Sequence, residues 1–244
     1  MKPATKIIVG CFTVIILMYL VYFIVLRAAV HSSNKWFDVD DADASDVHRA
    51  QWPITKLRFE EDVKRILEMS PKVELSPGES VFEVGCGTCA FFDMMVKQYP
   101  NIKLYGSDIN ESAVQRCQKK YTSANFMVGD LRDLTINRKF DCIIGNGMLG
   151  YLPSHDAVYK TLEKCDAILK PGKTMRFTTL DYPCSIGRFL TFRCPASSMQ
   201  TSIPPTLFQS FAKQYNYDVH FSDMNVMNGQ DGRRYVVVLY KKPN

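Results

Sequence analysis

The sequence has little of what would take it outside ordinary globular chemistry. It holds only two tryptophans and four histidines, and no dense lysine or arginine block stands out among its scattered charges. A net charge of +5 dispersed in this way excludes a basic nucleic-acid groove as the organising feature, so no nucleic-acid partner is expected. Internal repeats and low-complexity tracts are absent, which excludes solenoids, propellers and fibrous arrays. Metal-ligand spacing is missing too. Cys86 and Cys89 form one C-x-x-C, but neither a second pair nor a histidine cluster follows it, so no metal site is expected. The acidic stretch Asp38, Asp40, Asp41, Asp43 and Asp46 lacks the glycine and terminal glutamate of a calcium loop and reads as a solvated linker. Of the eight cysteines, Cys11 falls in an apolar run and leaves an odd seven, while Cys142 lies in a strand-like apolar stretch. That pattern predicts reduced thiols rather than a disulfide framework.

What is present begins with a long hydrophobic run. Residues 7–26 contain no charge, and a helix of that length spans a hydrocarbon core of roughly 30 Å. Lys2, Lys6 and Arg27 flank the run as snorkelling anchors would. A cleaved signal peptide normally has a shorter apolar core, so the expectation is a retained single-pass anchor in contact with the lipid bilayer. Positive charge is nearly balanced across it and leaves the side of the domain open. The unpaired cysteines, and a sequon at Asn110-Glu111-Ser112 beside the expected ligand crevice, tip the balance slightly toward the cytosol.

Three regions follow: an anchor at 1–27, an acidic polar linker at 28–50, and one α/β domain at 51–244. A helix is predicted over about 54–69, where Leu57, Val63, Ile66 and Leu67 form an apolar stripe. After the Ser76-Pro77-Gly78 break, strands at 80–84, 103–107, 125–128, 140–144 and 174–180 alternate with helices near 89–98, 111–121, 155–169 and 205–215. Such alternation means a doubly wound, mostly parallel sheet covered on both faces. The last two strand-like runs, 216–226 and 233–240, predict a terminal hairpin that places one antiparallel strand at the sheet edge.

Chemistry is concentrated at the strand ends. Glu83-Val84-Gly85-Cys86-Gly87-Thr88-Cys89 closes the first strand and opens a helix. Glycines there let the backbone approach a ligand, and the helix start offers free N–H groups. Asp108 ends the second strand about twenty residues on, where a carboxylate can accept both hydroxyls of a ribose. Gly129-Asp130-Leu131 ends the third strand and Asn146 the fourth, so four segments converge on one edge. By itself the Gly85-x-Gly87 pattern specifies only a nucleotide site; with Ala90 it also satisfies a relaxed nicotinamide-dinucleotide fingerprint.

With these motifs in register, the sequence resembles the seven-stranded class I S-adenosylmethionine (SAM)-dependent methyltransferase family over about residues 54–241. The resemblance rests on E-V-G-C-G-T-C at 83–89, Asp108, G-D-L at 129–131, F-D-C-I-I at 140–144 and L-K-P-G at 169–172. It implies that Gly85 and Gly87 pass under the methionine part of SAM, with Cys86 between them in the cofactor site and Glu83 holding the loop and the amino end. It further implies that Asp108 binds ribose, that Asp130 faces adenine, and that Ile109, Leu131 and Asn146 complete the cofactor site. Cys89 departs from the family, which often has a third glycine there, and Lys173 stands where a second glycine often follows Gly172.

The family resemblance implies methyl transfer to an acceptor that is a small molecule, a lipid or a protein. Alignment of donor and acceptor supplies much of such a reaction. His155 and Tyr151 follow the fourth strand, but a histidine in a first helical turn is more often a surface residue, and no general base is assigned. The long 181–206 connection carries Arg188, Phe189, Phe192 and Arg193, a basic-aromatic cluster suited to an anionic or lipid-like acceptor or to plain packing. Two other readings stay open: a non-catalytic SAM-binding or scaffold protein of the same fold, and an NAD(P)-dependent oxidoreductase.

Overall fold

A computed structural model describes residues 16–18, 20–22, 61, 63–181, 201–222, 225–226 and 233–243. The linker at 28–50 and most of the apolar run lie outside the described residues. Within that run, residues 16–18 and 20–22 are helical and exposed. Among the described residues, no helix is long and apolar enough to cross a membrane.

The sheet is built from β1 (Ser80–Val84), β2 (Lys103–Asp108), β3 (Asn125–Val128), β4 (Phe140–Asn146), β5 (Leu169–Asp181), β6 (Tyr217–Phe221), β7 (Asn225–Val226) and β8 (Arg233–Lys241). Seven of these run in the order β3-β2-β1-β4-β5-β8-β6, and the two-residue β7 pairs with β8. The strands from β3 to β5 pair in parallel; β8 is antiparallel to both β5 and β6. The expected hairpin is therefore present, but its reversed strand lies one place inside the edge. The reason is apolar content: Tyr235, Val236, Val237, Val238 and Leu239 are all buried, so β8 is covered on both faces. Edge strand β6 alternates buried and exposed positions instead.

Helical residues 63–68 form α1, followed by α2 (Ala90–Gln98), α3 (Glu111–Lys120), α4 (His155–Ile168) and α5 (Pro205–Tyr215). Alternate strand residues face opposite sides, so Val81 and Cys142 join one core with Ile66, Phe92 and Val114, whereas Phe82 and Ile143 join the other with Val158, Leu162 and Phe211. Thus α1, α2 and α3 cover one face while α4 and α5 cover the other. Side-chain caps start two of these helices: Asn110 Oδ1 accepts from the Ala113 N–H at 3.1 Å, and Ser154 Oγ accepts from the Ala157 N–H at 3.2 Å.

Arg176 on β5 is buried completely, a position the strand pattern alone did not mark. Its guanidinium donates to the carbonyl oxygens of Ile66 (2.7 Å), Met69 (3.0 Å) and Pro71. Those carbonyls lie at the end of α1, where backbone acceptors go unfilled and a cation is welcome. Burial lowers the Arg176 pKa from its ordinary value, opposed by the nearby Cys142 and Tyr99. The arginine thus fastens α1 to the sheet.

Candidate cofactor-binding site

The carboxyl ends of β1, β2, β3 and β4 lie side by side, as the parallel registers require. From β1 the chain enters a tight loop. The N–H groups of Gly85 and Cys86 both donate to the Ser107 carbonyl, at 2.8 and 3.0 Å. Gly87 N–H donates to Asp108 Oδ2 at 2.8 Å, and Asn110 N–H donates to Asp108 Oδ1 at 2.9 Å. Asp108 therefore organises both the glycine loop and the start of α3. Each carboxylate oxygen accepts one of these bonds and has lone-pair capacity for another, so room for ribose hydroxyls remains.

Backbone conformation explains the glycines. Gly85 and Gly87 have φ of 68° and 50°. A Cβ on Gly85 would come within 2.7 Å of the Met148 side chain, whereas at Gly87 it would meet nothing within 4 Å. Open space over a left-handed glycine is what a ligand passing along the backbone needs. Ile109, 44% exposed, follows Asp108 and offers an apolar surface there. Glu83 is buried at the end of β1, and Leu131 is buried after β3.

Asp130 takes a different form from the one expected. Arg132 Nε lies 2.9 Å from Asp130 Oδ1 and 3.1 Å from Oδ2, Nη2 lies 2.5 Å from Oδ2, and Arg132 N–H donates to Oδ1 at 2.9 Å. The Arg132 guanidinium holds the Asp130 carboxyl below the usual carboxylate range. An adenine amino group would share a carboxylate already engaged by arginine. Arg132 stands only two residues further along the chain, so this ion pair is a local one. Asn146 Oδ1 accepts from Thr178 Oγ1 at 2.6 Å, which joins the ends of β4 and β5. His155 is exposed, and its Nε2 lies 2.6 Å from the Ser202 carbonyl oxygen, in keeping with a surface role. Lys173 is not idle: it pairs with Glu79 at 2.5 Å and lies 3.6 Å from Asp141.

One expectation is overturned. Cys89 and Cys117 form a disulfide, with Cα atoms 5.8 Å apart, where reduced thiols were predicted. Spacing could not disclose the pair, because the partners are 28 residues apart and meet only when α3 packs beside the loop. Cys86, Cys142 and Cys165 are free and buried, as thiols in an apolar interior should be. Cys11, Cys184 and Cys194 lie outside the described residues. Cys86 approaches the bridge, all three sulfur atoms lying within 4.8 Å of one another. Burial, helped by the Glu83 and Asp108 carboxylates, pushes the Cys86 thiol up.

Strand order, the reversed β8 and a glycine loop tied to a strand-end carboxylate define a class I, Rossmann-like methyltransferase fold. Comparison with known proteins agrees: residues 81–172 match the family described as a methyltransferase domain. A malonyl-[acyl-carrier protein] O-methyltransferase of Priestia megaterium is 28% identical over 102 residues, 41% of this chain and 36% of that protein. A trans-aconitate 2-methyltransferase of an Acidovorax species is 24% identical over 121 residues, 49% of this chain and 46% of its own length. The chain thus spans less than half the length of these curated relatives. Among solved structures, the N-methyltransferase NodS from Bradyrhizobium japonicum, in complex with S-adenosyl-L-homocysteine, superposes with a TM-score of 0.59 at 14% identity, over 80% of this chain and 90% of that one. Residues 81–172 thus match a methyltransferase domain, on a fold of the class I kind. SAM is the cofactor of that domain, and the open Gly87 and the Asp108 carboxylate fit it.

Proposed function

We propose that the protein transfers the methyl group of SAM to a carboxylate oxygen of an acidic small molecule or carrier-linked acid. The observation that carries the transfer is the Gly85–Gly87 loop bonded to Asp108, open to a ligand above Gly87. The acceptor class is drawn from the relatives, whose names specify malonyl-[acyl-carrier protein] and trans-aconitate. In the step proposed, the acceptor oxygen attacks the methyl carbon, the carbon–sulfonium bond breaks toward sulfur, and S-adenosylhomocysteine leaves. An ionised carboxylate has no proton to lose, so this chemistry needs alignment rather than a general base. That suits a site where His155 is exposed and engaged by the Ser202 carbonyl oxygen. Arg188 and Arg193, outside the described residues, are the side chains we assign to the acid's negative charge.

The same reading places residues 7–26 in a bilayer as a single-pass anchor, on the strength of their length and lack of charge. It turns the domain toward the cytosol. Asn110 of the only sequon is buried and caps α3, which leaves no room for a glycan there. A protease-protected domain in intact microsomes would reverse that orientation.

Calorimetry on the detergent-solubilised full chain tests the cofactor, with NADH as the rival ligand. Micromolar SAM binding that Asp108→Ala weakens about a hundredfold supports the reading, and binding of NADH alone overturns it. Incubation with methyl-labelled SAM then surveys dicarboxylic acids, acyl-carrier-linked acids, lipids and proteins. Label found in base-labile methyl esters supports a carboxylate acceptor. Tight SAM binding without transfer to any class would instead make this a SAM-binding protein that does not catalyse.

A further inference from the structure

The place where the loop departs from its family is also the place where it is cross-linked. Cys89 is the N-cap of α2 and has φ of 60°, a left-handed conformation that a side chain disfavours and glycine adopts freely. It makes no side-chain capping hydrogen bond. Its sulfur is instead bonded to Cys117 on α3, and both residues are buried. Cys117 Sγ also lies 3.3 Å from the Gly87 carbonyl oxygen, so α3 touches the loop at a second point. One wall of the loop is held by β2, through Ser107 and Asp108; the other is held by this bridge.

We propose that the Cys89–Cys117 pair is a redox control on cofactor binding, in which the disulfide holds residues 85–89 ready for SAM and its reduction releases them. The inference rests on the reading of this loop as the SAM site. The reductant is a dithiol. Its thiolate attacks one sulfur of the bridge, and the bond breaks with its electron pair leaving on the other sulfur, which takes a proton. The second thiol of the reductant then displaces the mixed disulfide. Two cysteine thiols and one oxidised reductant result, so atoms and electrons balance.

After reduction a weak S–H···O contact from Cys117 to Gly87 replaces a covalent tie. Cys89 is then free to leave the left-handed region, and the first turn of α2 moves with it. Cys86 does not compete for the bridge, because its buried thiol stays protonated beside two carboxylates and only a thiolate exchanges. A reducible bridge also accords with a domain facing the cytosol, where disulfides are transient or sensing rather than structural.

The test uses the full chain in detergent, equilibrated with oxidised glutathione or with dithiothreitol. Alkylation and mass spectrometry report the 89–117 linkage, and calorimetry reports SAM affinity. The oxidised protein should bind SAM about tenfold more tightly than the reduced one, the size of a single left-handed side-chain penalty. Cys117→Ser should bind weakly in both buffers. Cys89→Gly should bind as tightly as the oxidised wild type in both, since glycine takes the turn without a tether. Equal wild-type affinities with the bond shown to be broken would overturn the proposal, as would absence of the linked peptide from the oxidised protein. If neither form binds SAM, the cofactor reading itself fails, and hydrogen exchange of residues 85–89 decides the redox control. Faster exchange on reduction supports it, and unchanged exchange rejects it.

Discussion

The two ends of the sheet's parallel strands each hold a carboxylate that accepts from backbone N–H, and they use it differently. At the amino end, Asp141 accepts from Ser80 N–H and Ser80 Oγ, each at 2.9 Å, and from Lys170 Nζ at 2.8 Å. Lys173 adds its charge at 3.6 Å and also pairs with Glu79. At the carboxyl end, Asp108 accepts from the N–H groups of Gly87 and Asn110, and no lysine or arginine among the described residues forms an ion pair with it. The amino end is closed, with its cations supplied by the chain's own L-K-P-G-K segment. The carboxyl end keeps acceptor capacity for a ligand, in line with the general placement of ligand sites on open α/β sheets. Similar local chemistry closes an ion-pair cluster in one place and leaves acceptor capacity at the candidate cofactor site in the other.

The sharpest way to break this comparison is Asp141→Ala. It leaves the Ser80 N–H without its acceptor inside the protein and strips Lys170 of its partner, at an expected cost of about 2–4 kcal/mol in chemical denaturation. SAM affinity of the folded fraction should not change. A large loss of affinity would show that the two ends are coupled. Next comes Asp108→Ala, which should weaken SAM binding about a hundredfold by calorimetry, roughly 2.7 kcal/mol, while the midpoint of unfolding moves much less. Equal losses of stability and affinity would erase the distinction.

A third measurement uses pH. Burial raises the Asp141 pKa, but hydrogen bonds from Lys170 and Ser80 outweigh it and hold the carboxyl at about 2. A folded pKa below the unfolded value of about 3.9 gives stability that is complete above that value and lost as pH falls toward 2. Asp141→Asn should therefore flatten the acid limb of the unfolding curve between those limits, by about 1–2 kcal/mol. An unaltered acid limb would remove Asp141 from the account. The smallest effect is expected from Lys160→Ala. Its ion pair with Asp156 at 2.9 Å is exposed on both sides, so less than about 0.5 kcal/mol should be lost. That substitution calibrates the others.

Much of the site was legible because its signals are local. Glycines at 85 and 87, an acid at 108 and Asn146 each mark a strand end, and alternating apolar runs place those ends at one edge. Strand β3 and helix α5 fall where the periodicity put them, at Asn125–Val128 and Pro205–Tyr215. Most of what stayed hidden depends on distance along the chain. Arg176 reads as an ordinary strand residue until the carbonyl at Ile66, 110 residues earlier, is seen to need a donor. Asp130 reads as an open acceptor until Arg132 folds back on it. The inner position of β8 follows from burial on both of its faces, which a hairpin signal does not report.

The sequence by itself determined the class of fold and the sheet edge at which Gly85, Gly87, Asp108 and Asn146 gather, because hydrophobic periodicity and glycine placement act over a few residues at a time. Tertiary structure alone decided the Cys89–Cys117 bridge and the buried Arg176. Each of these requires two distant segments to close on each other before its partner exists. For Cys89 the outcome is concrete: what reads in the sequence as a missing glycine is, in the folded domain, one end of a cross-link.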